Sequence, residues 1–77
     1  MDPSAKLEAL LAAGKDSAML RVGLGSQYLG KGEAARAAEH LRAALAQDPA
    51  YSAAWKLLGK ALQALGDQVG AIEAYRS

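Results

Sequence analysis

The sequence predicts an all-α fold of about five short helices paired into hairpins, with no β-sheet. Alanine alone supplies 19 of the 77 residues, and Leu, Lys, Glu, Arg and Gln, which also favour helices, supply much of the remainder. The β-branched residues that favour strands are nearly missing, because the chain has two valines, one isoleucine and no threonine. Glycines and prolines then divide the chain into pieces of helix length.

Capping and turn residues set the bounds of the first two helices. Asp2 is placed to cap a helix that opens at Pro3, and Gly14 stands where a left-handed residue ends a helix. A second helix is predicted from about Ala18 to Leu29. Two capping candidates precede it, Asp16 and Ser17. Its apolar stripe consists of Leu20, Leu24 and Tyr28.

Three further helices follow by the same reasoning. The third is predicted from about Ala34 to Ala46, because Pro49 cannot continue a helix. The fourth is predicted from about Ala53 to Leu65, and Asp67 caps the fifth. The apolar residues of these helices are Ala37, Leu41, Ala44, Leu45, Trp55, Leu58, Leu62, Ala71, Ile72 and Tyr75.

A repeat of 34 residues is the most specific signal in the sequence. Shifting the chain by this step superposes the second and third helices on the fourth and fifth. The matched pairs are Leu24 with Leu58, Gly25 with Gly59, Gly32 with Gly66, Ala37 with Ala71, and Leu41 with Tyr75. The same shift places Leu7 on Leu41 and Leu11 on Leu45, so the first helix is predicted to be the second half of an earlier repeat.

The repeat resembles the tetratricopeptide repeat family, whose 34-residue unit follows the pattern W-x2-L-G-x2-Y, then A-x3-F, then P. The second unit matches through Trp55, Leu58, Gly59, Leu62, Ala71 and Tyr75. The first unit matches through Leu24, Gly25, Tyr28, Ala37, Leu41, Ala44 and Pro49. Its clearest departure is Arg21, which occupies the tryptophan position. The resemblance covers roughly residues 18 to 77 and implies an α-solenoid, a right-handed superhelix of hairpins.

In this register residues 1–77 form one domain, divided into a half repeat (1–17), a first repeat (18–51) and a truncated second repeat (52–77). The small residues at matched positions, Gly25, Gly59, Ala37 and Ala71, are expected to let the two helices of each hairpin approach closely. Trp55, Tyr28 and Leu41 are expected to fill the space between hairpins. Truncating a buried Trp55 to alanine would then cost about 3–5 kcal/mol.

The resemblance implies a non-enzymatic protein–protein interaction module. Members of the family bind peptides in a concave groove lined by the first helix of each hairpin. The family's groove positions fall on Met19, Val22, Ser26 and Leu29 in the first unit and on Ala53, Lys56, Lys60 and Gln63 in the second. This groove would be apolar at one end and basic at the other. It suits a peptide with an apolar anchor followed by acidic residues or by a free terminal carboxylate.

Two alternatives remain open for these groove residues. Lys56 and Lys60 also fit a solvated helix face, and Met19 and Val22 also fit packing against the first helix. One subclass of the family is disfavoured. Its chaperone-binding members clamp two carboxylates with a lysine and two asparagines, at positions held here by Val22, Ser26 and Leu57.

The sequence predicts no enzyme, no cofactor and no metal site. His40 is the only histidine and the chain has no cysteine, so a zinc site is not expected. We expect His40 to be a solvated side chain on the polar side of the third helix, beside Arg36 and Glu39. The glycines of Gly23-Leu24-Gly25-Ser26 lie within a helix in the repeat register and lack the full phosphate-loop pattern.

Composition sets the remaining expectations. The formal net charge of +1 lacks the basic excess of a phosphate-binding surface, so no nucleic-acid partner is expected. No apolar stretch reaches the length of a membrane span and no signal peptide is recognisable, so we expect a cytoplasmic protein without a membrane partner. Without cysteines, a chain of 77 residues has only a thin core to stabilise it.

A second functional class follows from the end of the repeat pattern. The second unit is shorter than 34 residues, and no helix with a polar outer face follows it. The sequence is therefore expected to be a fragment of a longer array, or else its open end is covered by a partner or a second copy. If a partner or a second copy covers the open end, the chain is an assembly element that docks through Ala71, Ile72 and Tyr75.

Overall fold

The computed structural model describes residues 3–76, and these residues form five α-helices and no strand. The helices are α1 (Pro3–Ala12), α2 (Ala18–Gly30), α3 (Ala34–Gln47), α4 (Ser52–Ala64) and α5 (Gln68–Arg76). The predicted all-α class is confirmed, and the predicted bounds differ by one or two residues. The predicted cap Asp2 lies outside the described residues.

Local side chains begin and end these helices as their types predict. Ser17 caps α2, because its Oγ accepts a hydrogen bond from the Leu20 N–H at 3.1 Å. Asp67 caps α5 in the same way, with its Oδ1 accepting from the Gly70 N–H at 2.9 Å. Three turn glycines have positive φ angles that other residues rarely adopt, Gly14, Gly32 and Gly66. The chain therefore reverses direction after α1, α2 and α4 at glycines.

The helices pack as two hairpins with α1 at one side. In each hairpin consecutive helices lie together, α2 with α3 and α4 with α5, while α3 packs on α4 and α1 packs on α2. The first helices of the two hairpins, α2 and α4, also contact each other. The Cα atoms span 35 × 25 × 13 Å, so the molecule is a slab with two broad faces.

Glycine sets the distance between the helices of each hairpin. A Cβ atom added at Gly25 would lie 2.6 Å from Leu41 Cγ and Cδ2, and one added at Gly59 would lie 2.6 Å from Tyr75 Cε1. Both distances are far below van der Waals contact. Each glycine therefore gives a side chain of the opposing helix direct access to the helix backbone, as the repeat pattern predicts.

The core is thin and rich in alanine. Its buried residues are Leu24, Tyr28, Ala34, Ala37, Ala38, Leu41, Ala44, Leu45, Ala54, Leu58, Ala61, Leu62, Ala71 and Ala74. Two expectations need correction. Leu41 packs against Gly25 within the α2–α3 hairpin, a contact that the expected place between hairpins does not include. Trp55 is only partly buried, and its indole N–H donates to the Pro49 carbonyl at 2.8 Å, so the loss expected for a fully buried tryptophan does not apply.

We expect Gly25→Ala to lower the free energy of unfolding by about 1–3 kcal/mol, because the new methyl group would overlap the completely buried Leu41 side chain. The matched control is Gly23→Ala in the same helix, where the nearest atom to the added Cβ is Leu7 Cδ1 at 3.5 Å. That change should stabilise the chain by about 0.5–1 kcal/mol, since glycine is costly within a helix. Urea unfolding monitored by circular dichroism measures both, and equal effects at the two positions would contradict this packing.

Candidate functional site

The predicted groove residues lie on α2 and α4, and these two helices contact each other. Six of the eight are exposed, and Met19 is 75% exposed. The six are Met19, Ser26, Ala53, Lys56, Lys60 and Gln63. Val22 and Leu29 are partly buried against the core. The sequence left packing as an alternative for both Met19 and Val22. Val22 packs against the core, whereas Met19 is exposed to solvent.

The helices that carry this surface contain no acidic residue. Neither the α2 segment AMLRVGLGSQYLG nor the α4 segment SAAWKLLGKALQA includes Asp or Glu. Lys56 and Lys60 lie one turn apart on α4, are exposed, and form no ion pair with any residue in 3–76. Gln63 differs from them, because its Oε1 accepts a hydrogen bond from the Tyr75 hydroxyl at 3.0 Å. The two lysines are therefore the free charges of this surface.

Arg21, the third cation on these two helices, is neutralised by Asp16. Its Nε and Nη2 donate to Asp16 Oδ1 and Oδ2 at 2.9 and 3.0 Å, and Gln47 Nε2 donates to the same Oδ1 at 2.9 Å. The bonds from Arg21 and then Gln47 lower the pKa of the Asp16 carboxyl, and the carboxylate raises the pKa of Arg21. Arg21 thus joins α2 to the loop before it.

His40 is not the solvated side chain that its position on α3 predicts. Its side chain is only 14% exposed, its Nε2 lies 3.1 Å from Glu8 Oε1, and its Nδ1 lies 3.0 Å from Arg21 Nη1. The imidazole stacks on the Tyr28 ring with centroids 5.5 Å apart, and the Tyr28 hydroxyl donates to Glu8 Oε1 at 3.0 Å. Burial, and then the bond to Glu8, raise the pKa of Tyr28. These side chains fasten α1 to α2 and α3.

Within residues 3–76 no three His, Cys, Asp or Glu side chains come together as metal ligands would. None of the helices there combines the length and the apolar character that a membrane crossing requires.

The comparisons with known proteins agree with the helical hairpins. The family model described as tetratricopeptide repeat matches residues 28–77. The chain belongs to the tetratricopeptide repeat family. It is also 61% identical over 69 residues to the TPR repeat-containing protein PA0015 of Pseudomonas aeruginosa, an alignment that covers 90% of this chain.

A solved structure has the same tetratricopeptide repeat architecture. The solution structure of protein BPP2914 from Bordetella parapertussis superposes with a TM-score of 0.82 over 99% of this chain, at 47% sequence identity. The chain spans 66% of the length of each of these two relatives. Family membership makes a role in protein–protein interaction the general expectation for this chain.

The tetratricopeptide repeat pattern does not predict the contact of Arg21 with Asp16 or the contacts of His40 with Glu8 and Tyr28. One departure from the pattern nevertheless lies at this place. Arg21 replaces the tryptophan of the pattern, and Trp55 stands at the equivalent position one repeat later. Both side chains bond to the loop that precedes their helix, Arg21 to Asp16 and Trp55 to the Pro49 carbonyl. An arginine at this position indicates an acidic residue in that loop, and Asp16 fits.

We expect the Asp16–Arg21 contact to give stability a pH dependence that Asp16→Asn removes. Because the pKa of Asp16 is lower in the folded chain than its ordinary value of 3.8, its contribution is complete above that pH. It is then lost as the pH falls through the lowered pKa. Urea unfolding of both chains from pH 7 to pH 2 should show a difference that shrinks on acidification, whereas a constant difference would contradict this assignment.

Proposed function

We propose that this chain binds a polypeptide segment along the surface formed by α2 and α4. The residues of this groove are Met19, Val22, Ser26, Leu29, Ala53, Lys56, Lys60 and Gln63. The observation that carries the proposal is the charge of the two helices: they contain no acidic residue, and Lys56 and Lys60 are exposed without a partner among residues 3–76. Residues 1–17, 18–51 and 52–77 act in this proposal as a half repeat and two successive repeats.

The groove favours a ligand with two chemically different parts. At the α2 side Met19 is exposed next to the partly buried Val22, so an apolar side chain gains by leaving water there. At the α4 side the ammonium groups of Lys56 and Lys60 attract carboxylates. An extended segment with an apolar anchor followed by acidic residues, or by its own terminal carboxylate, meets both conditions.

We expect a fluorescein-labelled peptide with a leucine anchor followed by three glutamates to bind, and the same peptide with glutamines to bind at least tenfold more weakly. Lys56→Glu/Lys60→Glu should abolish binding of the acidic peptide, and added salt should weaken it, because exposed charges are screened. Fluorescence anisotropy measures each affinity. Comparing free and amidated C-termini shows whether the terminal carboxylate contributes.

The matched control is Lys6→Glu/Lys15→Glu, an equal change of charge at two exposed positions outside α2 and α4. It should leave the affinity for the acidic peptide within about twofold, since residues outside the contact rarely matter. Binding that survives Lys56→Glu/Lys60→Glu, or that Lys6→Glu/Lys15→Glu weakens equally, would show that the groove does not hold the peptide.

The outer side of α5 favours a second candidate function, assembly with another copy of the chain. Leu65, Val69 and Ile72 are 50%, 69% and 52% exposed, and Tyr75 is also exposed. Ala71, which the sequence placed on this docking surface, is only 2% exposed and belongs to the core. The docking surface of this second candidate therefore consists of Leu65, Val69, Ile72 and Tyr75, and Ala71 is not part of it.

We expect assembly through α5, if it is the function, to be apolar in character. Sedimentation velocity should then show a dimer whose proportion rises with protein concentration, changes little with salt, and falls in Ile72→Glu. A monomer at every concentration, or a dimer that Ile72→Glu leaves intact, would exclude this second candidate.

A further inference from the structure

Two recesses on the surface are equivalent by the 34-residue repeat. The first, of about 310 Å³, is lined by Glu8, Tyr28, Arg36, Glu39 and His40. The second, of about 370 Å³, is lined by Arg42, Trp55, Leu58, Leu62, Asp67, Gly70, Glu73 and Ala74. Each residue of the first list lies 34 positions before a residue of the second. The two recesses are therefore the same place in successive repeats.

Aromatic and charged side chains of the chain itself line the first recess. The rings of Tyr28 and His40 stack there, and both bond to Glu8. The Arg36 guanidinium lies 5.6 Å from the centre of the Tyr28 ring and 3.7 Å from the Glu33 carboxylate. The two rings and the charges of Glu8 and Arg36 therefore already have partners within the chain.

The second recess lacks those groups. Leu62 stands in place of Tyr28, Ala74 in place of His40, and Gly70 in place of Arg36. Its lining therefore combines the apolar side chains of Leu58, Leu62 and Ala74 and the partly buried Trp55 with the charged side chains of Arg42, Asp67 and Glu73. The equivalents of both stacked rings are aliphatic, and the aromatic side chain that lines this recess is Trp55.

One charged position has the opposite sign in the second recess. Arg42 replaces Glu8, is exposed, and forms no ion pair or hydrogen bond with any residue in 3–76. The two acidic residues of the rim are already engaged: Asp67 accepts from the Gly70 N–H, and Glu73 has a partner. The unmatched group is therefore a guanidinium, which selects a carboxylate.

We propose that the second recess is a separate binding site for a partner polypeptide that inserts one aromatic side chain and places a neighbouring carboxylate on Arg42. The inserted ring would stand where the first recess holds its own rings, against Trp55 and Leu62. At 100° per residue, Leu58 and Leu62 lie on the side of α4 opposite to Lys60. This site is thus distinct from the groove and does not depend on it.

Trp55 makes the test direct, because it is the only tryptophan of the chain and lines the recess. The probe is the blocked dipeptide acetyl-phenylalanyl-aspartyl-amide, which does not absorb at 295 nm, and its analogues with asparagine or with alanine in place of phenylalanine. We expect the parent dipeptide to change the Trp55 emission saturably. The asparagine analogue should bind about fivefold more weakly, as expected for one partly exposed ion pair, and the alanine analogue should have no effect.

Variants assign the effect to this recess. Arg42→Glu and Arg42→Gln should each weaken binding of the dipeptide about fivefold or more, whereas Lys60→Glu, on the groove side of α4, should leave it unchanged. Three results would overturn the proposal: no saturable change of emission, equal losses in Arg42→Glu and Lys60→Glu, or emission that changes with protein concentration alone. The last result would assign the recess to a second copy of the chain.

Discussion

The contact between a glycine of one helix and a large side chain of the next determines the rest of this structure. Gly25 receives Leu41 and Gly59 receives Tyr75, each within the space that a Cβ atom would need. Because the helices of a hairpin approach so closely, the interior is filled largely by alanine. The broad outer faces of the slab are therefore where recognition can take place.

The two sides of α4 differ in character because the repeat assigns them different neighbours. Lys56 and Lys60 are exposed on one side, and no acidic residue of α2 or α4 balances their charge. The other side lies between α3 and α5, where Trp55 and Leu62 form an apolar wall below Arg42. A single helix thus presents a polar surface and an apolar recess without sharing a residue between them, so two ligands need not compete.

The sequence predicts the helices, their caps and the register of the repeat, because these depend on neighbouring residues or on a fixed spacing. Ser17, Asp67 and Gly25 behave as their types and positions require. The prediction from sequence fails at His40, because its partners Glu8 and Arg21 lie on other helices. A helical pattern ranks a residue as polar or apolar and does not say which distant charge it meets. The free lysines were predictable from position, whereas the recess at Arg42 required the packing of three helices.

Nuclear Overhauser effects measure the glycine contacts most directly. In the uniformly labelled chain, the α-protons of Gly25 should show strong effects to the Leu41 methyl groups, and those of Gly59 should show them to the Tyr75 ring protons. Such contacts within each hairpin are the result that the close helix approach predicts. If neither pair is observed, while the helices themselves are intact, the hairpins are more widely separated and the surfaces derived from their packing are wrong.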